Sequence, residues 1–137
     1  MRRGEMLRNG FMDLEKILLI SAGAALGANA RYWVGLWAAQ KWGAGFPVGT
    51  LLINLSGSLV LGFFLTLATQ RLLIDPRWRL LFAVGFLGAY TTFSTYTYES
   101  LDLILQGQWV AGLANLLGST LAGILAAAAG VYLAKLL

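Results

Sequence analysis

Residues 85–100 read GFLGAYTTFSTYTYES, and the stretch lies in the middle of an apolar segment of membrane-spanning length. From Tyr90 to Ser100 nine of eleven side chains carry a hydroxyl: Tyr90, Thr91, Thr92, Ser94, Thr95, Tyr96, Thr97, Tyr98 and Ser100. Hydrocarbon offers such groups no partner, and a buried polar group without one costs free energy. A hydroxyl-dense band at that depth is therefore a polar lining, a seam between helices, or both.

The flanking sequence supplies the membrane. Of 137 residues, 58% are hydrophobic and only 12% charged, and mean hydropathy is +0.72. Soluble domains carry about 25% charged residues, so the balance points to a bilayer. Four apolar runs stand out, at about 16–39, 48–70, 78–103 and 109–133. At about 1.5 Å rise per residue, each covers the ~30 Å hydrocarbon core. The connections are short: KWGAGFP at 41–47, RLLIDPR at 71–77 and QGQ at 106–108. Trp33, Trp37, Trp42, Trp78 and Trp109 fall near run ends, where interfacial anchors sit. The fold class expected from this pattern is an all-α membrane protein with four transmembrane helices, forming one domain over 16–137.

Residues 1–15 read as an N-terminal tail, either a short basic extension or an upstream start ahead of Met12. A cleaved signal peptide is not expected, because the first apolar run is span-length and lacks a convincing cleavage site. An even number of spans puts both termini on one side. That side holds Arg2, Arg3, Arg8, Lys16, Arg71, Arg77, Arg79 and Lys135, against Lys41 on the other. Cationic loops stay inside, so both termini are expected in the cytoplasm. The net charge of +4 is thus topology information rather than a nucleic-acid footprint.

Composition also narrows the chemistry. The chain has no Cys and no His, which removes thiol redox chemistry, Cys/His metal sites and a histidine base. Its six carboxylates are Glu5, Asp13, Glu15, Asp75, Glu99 and Asp102, mostly at span ends. An enzyme is not expected.

Several polar residues stand inside the apolar runs. Arg31 is the only charge deep in the first; such a residue is usually paired or near water, or snorkels to the interface. Thr50, Asn54 and Ser58 recur every four residues, which places them in one stripe of the second helix. An Asn amide can donate two hydrogen bonds, to an anion or to a neighbouring helix. Gly85 and Gly88 precede two β-branched threonines, and Gly costs a helix ~1 kcal/mol relative to Ala. A break in the third helix is expected here, exposing carbonyls and amides that can bind ions. The alternative is an intact helix whose threonines bond their own carbonyls.

Phe93 and Tyr96, three apart, share a helix face and present electropositive ring edges. Glu99 lies on much the same side as Thr92 and Thr95, where it can accept their protons. In the fourth run Asn115, Ser119 and Thr120 form a polar track or an interhelical bond. Small residues four apart, at Gly23/Gly27, Ser58/Gly62, Ser119/Gly123 and Ala126/Gly130, allow close helix contact.

Three of these pieces, GAALGANARY (23–32), PVGTLLINLSGSLVLG (47–62) and GFLGAYTTFSTYTYE (85–99), occur in an order that resembles the Fluc/CrcB family of small fluoride channels. The resemblance covers essentially the whole chain from Met12. It implies an antiparallel, dual-topology dimer with two fluoride pores and a central structural sodium ion. The sodium would be held by backbone carbonyls where the third helix breaks, those of Gly88 and Thr91. The pore aromatics fall on Phe93 and Tyr96, the pore asparagine on Asn54 and the polar-track acid on Glu99. Ser119 matches a fourth-span hydroxyl, Thr92 and Thr95 join it as donors, and Arg31 matches a vestibule arginine.

Two departures accompany the likeness. Tyr96 stands where Phe is usual, adding a hydroxyl. The basic bias is strong for a dual-topology protein, which admits an oppositely inserted paired homologue in place of the homodimer. The expected function is a passive, multi-pass channel in the plasma or inner membrane that exports fluoride and lowers its toxicity. Its partners would be fluoride, sodium and lipid. The rivals are a proton-coupled small-molecule exporter using Glu99 and a non-transporting assembly subunit.

Overall fold

The computed structural model describes the backbone of residues 3–71 and 74–137, and the side chains of 14–70 and 74–137. The side chains of Arg2, Arg3, Arg8 and Arg71, four of the residues behind the topology expectation, lie outside this set. Among the described residues all regular structure is helical. Helix α1 (Arg3–Trp42) runs unbroken for 40 residues. It ends at Gly43, whose φ of +76° suits glycine and whose N–H closes onto the Ala39 carbonyl at 2.9 Å. Helix α2 (Val48–Thr66) continues through a π-wound turn, Leu67–Arg71.

Helix α3 covers residues 76–90, with Arg79–Leu87 wound as a π-helix. Its start is written in Asp75-Pro76. The Asp75 carboxylate accepts the Arg77 N–H at 2.9 Å, and Pro76 occupies the first helical position, where its missing N–H is no loss. Helix α4 (Phe93–Leu105) turns at Gly107, φ +81°, into α5 (Trp109–Lys135), which contains a π-wound stretch at Ala114–Gly118.

Among the described residues three helices are long and apolar enough to cross a membrane: Leu14–Trp42, Val48–Gln70 and Trp109–Lys135. The third expected span is not among them as a single helix. Its residues are divided between α3 and α4, which meet at Thr91 and Thr92, and neither piece alone has the necessary length.

Helix pairs α1/α3 and α2/α5 touch backbone to backbone. A Cβ on Gly27 would stand 2.1 Å from the Phe86 carbonyl oxygen, and one on Gly130 2.1 Å from that of Leu59. Such approaches replace the hydrophobic drive that lipid cannot supply. Gly130→Leu is therefore expected to lose the monodisperse folded protein in detergent. A wild-type elution profile and thermal midpoint would contradict the contact.

The interior mixes polar side chains such as Thr50, Thr92, Ser100 and Asn115 with apolar ones such as Ile53, Leu87 and Leu103. Asn115 and Ser100 are the largest fully buried side chains, while Val110, Leu125 and Leu121 are largely exposed. Many of the large apolar side chains face outward, as those of a membrane-spanning helix do. Polar groups face inward, where they find partners.

Candidate functional site

The site is built on Thr91 and Thr92, where helical geometry stops. Thr91 has φ −78° and ψ 158°, and Thr92 has φ −148° and ψ 117°, both extended. The Thr91 N–H still donates to the Leu87 carbonyl at 3.0 Å. The next N–H turns sideways: Thr92 N donates to Asn54 Oδ1 at 2.8 Å, and Asn54 Nδ2 donates back to the Thr92 carbonyl at 2.9 Å. An N–H has one proton, so the Gly88 carbonyl, four residues earlier, loses the partner it would have in a continuous helix. Helix α4 restarts with Thr92 as its cap, Oγ1 accepting the Thr95 N–H at 3.3 Å.

The stripe Thr50–Asn54–Ser58 faces this feature, as its spacing indicates. Thr50 Oγ1 donates to Glu99 Oε1 at 2.9 Å, and Glu99 Oε2 is buried without a hydrogen-bond partner. Glu99 thus accepts its hydrogen bond from α2, not from Thr95 on its own helix. Thr95 Oγ1 instead accepts from Thr92 Oγ1 at 3.0 Å.

Two clefts flank the clamp. The smaller, ≈ 410 Å³, brings together Asn54, Thr92, Phe93, Tyr96 and Ser119. The larger, ≈ 570 Å³, holds Arg31, Thr50, Thr95 and Glu99, with Asp102 added. Thr92 lines the smaller cleft and Thr95 the larger, and their hydroxyls are bonded to one another. Gly88 and Thr91 line neither cleft. Phe93 is 77% exposed and Tyr96 only 8%, with ring centroids 5.8 Å apart.

The hydroxyl band divides by where its protons go. Thr91, Thr97 and Ser100 donate to carbonyls four residues back, which is local satisfaction of the kind threonine and serine make inside helices. Ser100 also accepts from Asn115 Nδ2 at 2.9 Å, and Ser119 Oγ donates to Asn115 Oδ1 at 2.9 Å. The Ser119 proton is therefore held by Asn115 rather than turned to the cleft. The Tyr96 hydroxyl is bonded to the Leu116 carbonyl and to Thr120 Oγ1.

Sequence reasoning missed Gly57. A Cβ there would lie 2.2 Å from Thr91 Cγ2, so only glycine lets α2 seat the extended pair. No small residue stands four positions away on either side, and the small-xxx-small pattern could not find it.

The family described as "CrcB-like protein, Camphor Resistance (CrcB)" matches residues 18–131. A protein called fluoride-specific ion channel FluC, from Chloroflexus aurantiacus, is 45% identical over 122 residues, 89% of this chain and 97% of that protein. One of the same name from Koribacter versatilis is 48% identical over 121 residues, covering 86% and 96%. Another, from Synechococcus sp., is 50% identical over 117 residues, covering 85% and 90%. With residues 18–131 matched by the family and 85–89% of its length matched by these relatives, the chain belongs to the CrcB family.

Proposed function

We propose that the protein is a passive fluoride channel. The observation that carries the reading is the Asn54–Thr92 clamp, which sets an interrupted helix beside a cleft holding Asn54, Phe93 and Tyr96. Fluoride is small and strongly hydrated, so crossing a bilayer requires donors in place of water. Asn54 Nδ2 has a second proton to offer, and Thr95, whose oxygen accepts from Thr92, keeps its own. The ring edges of Phe93 and Tyr96 add positive quadrupole. The relatives named as fluoride-specific channels support the choice of ion.

No cationic side chain lines the smaller cleft, so nothing there traps an anion. Among the described residues Arg31 is the one cationic side chain lining the larger cleft, which it shares with Glu99 and Asp102, and it would be the group there to meet an entering anion. An inside-negative potential would drive fluoride out of the cytoplasm with ~2.3 kcal/mol per charge per 100 mV.

The Gly88 carbonyl, freed when Thr92 turns to Asn54, and that of Thr91 fit a hard cation such as sodium, which binds through oxygen. Bound sodium would supply fixed positive charge to the dimer centre. Gly88 is exposed, which supports an antiparallel second copy on this side, the two copies carrying two pores in the plasma or inner membrane. Replacing Na⁺ by a larger monovalent cation is expected to weaken the dimer. An unchanged dimer and unchanged flux in rigorously sodium-free medium would contradict that site.

The test is fluoride efflux from potassium-loaded liposomes with and without valinomycin. A passive channel releases fluoride only when potassium balances its charge. Efflux that ignores valinomycin, follows a pH gradient and vanishes in Glu99→Gln would instead establish a proton-coupled exporter.

A further inference from the structure

The Tyr96 hydroxyl is seated on α5 by two oxygens, the Leu116 carbonyl and Thr120 Oγ1, the latter at 2.8 Å. Thr120 Oγ1 donates to the same carbonyl at 2.7 Å. Three oxygens thus share two protons, and both protons are committed inside the cluster. A phenol oxygen lies on the axis of its ring, so a bond at that oxygen fixes where the axis points. The ring can spin about the axis but cannot swing to another χ1 rotamer.

Tyr96 and Thr120 line the same ≈ 410 Å³ cleft as Asn54 and Phe93. We infer that this Tyr96–Leu116–Thr120 clasp sets the rate of anion passage, with Tyr96 as a brake and Thr120 as the positioning residue that holds it. The inference rests on the fluoride-channel reading of the cleft. Two effects act in the same direction. The clasped ring cannot move aside for the ion. The phenol and Thr120 oxygens, their protons already given away, turn lone pairs toward an approaching anion.

The test compares initial fluoride efflux from liposomes containing wild type, Tyr96→Phe, Thr120→Val or Thr120→Ser. Tyr96→Phe is expected to raise the rate about three- to tenfold, the factor that one neutral hydrogen bond carries. Thr120→Val keeps the side-chain shape and should give a smaller rise, while Thr120→Ser keeps the hydroxyl and should stay at the wild-type rate. A purely structural tie would lower the thermal midpoint without raising flux, and that result overturns the clasp. Should Tyr96→Phe fail to fold, the Thr120 pair carries the comparison. Wild-type protein with no flux above protein-free vesicles overturns the channel reading itself; wild-type flux with neither Tyr96→Phe nor Thr120→Val faster overturns the clasp alone.

Discussion

Asn54→Asp is expected to fold and to lose fluoride efflux by at least about 100-fold. Aspartate can still accept the Thr92 N–H, now bonded to Asn54 Oδ1 at 2.8 Å. It has no proton for the Thr92 carbonyl and none for an anion, and it places a negative charge in the cleft. Two like charges 4 Å apart repel by ~4 kcal/mol at an effective dielectric of about 20. At ~1.4 kcal/mol per factor of ten, that repulsion amounts to nearly three decades in rate, so a hundredfold loss is a lower bound. Asn54→Asp leaves the Thr92 carbonyl without its donor and should lose some stability, and Asn54→Leu should lose more. It strands the N–H and C=O of Thr92, a residue 8% exposed, at ~1–3 kcal/mol for each buried unsatisfied group. Its thermal midpoint should fall along with its flux. Fluoride-electrode traces and unfolding curves on the same preparations separate the two, and near-wild-type flux in Asn54→Asp would contradict the assigned role.

Gly57→Ala should damage both stability and transport, and Thr91→Ser should repair it. The added Cβ would sit 2.2 Å from Thr91 Cγ2, closer than carbon atoms approach, and overpacking of this kind costs ~1–3 kcal/mol. Thr91 is β-branched and cannot turn away, so the strain passes to the extended Thr91–Thr92 backbone. Serine lacks Cγ2 but keeps the hydroxyl that bonds the Leu87 carbonyl at 3.0 Å. The double variant Gly57→Ala/Thr91→Ser should therefore recover most of the flux and midpoint lost in the single one. Equal damage in both would mean that the methyl contact is not what demands glycine.

What was legible in the sequence follows from how local its cause is. Hydropathy and short Gly- or Pro-bearing connections delimit helices, because apolar run length and loop chemistry act within a few residues. The four-residue spacing of Thr50, Asn54 and Ser58 put them on one face for the same reason. Partner choice was less accessible. Asn54 meets a backbone carbonyl 38 residues later, and every residue carries the same carbonyl, so no side-chain pattern marks Thr92. The seat of the Tyr96 hydroxyl on Leu116 is hidden in the same way.

Side-chain spacing leaves the partner open where several acceptors lie within reach of one group. Glu99 lies near Thr95 along its own helix, yet Thr50 from α2 reaches it. Ser119 reads as part of a polar track or of an interhelical bond, and its hydroxyl donates to Asn115 one turn away, which in turn donates to Ser100 of α4. The π-winding of Arg79–Leu87 has no local signature, since helix propensities do not distinguish one helical winding from another.

The most direct test of the central claim is a paired efflux measurement on liposomes holding the purified protein alone, one set loaded with fluoride and one with chloride, both with valinomycin. Rapid fluoride release with chloride retained is expected, from this single chain and no second protein. Fluoride leakage no faster than from protein-free vesicles, or equal release of the two anions, would contradict it.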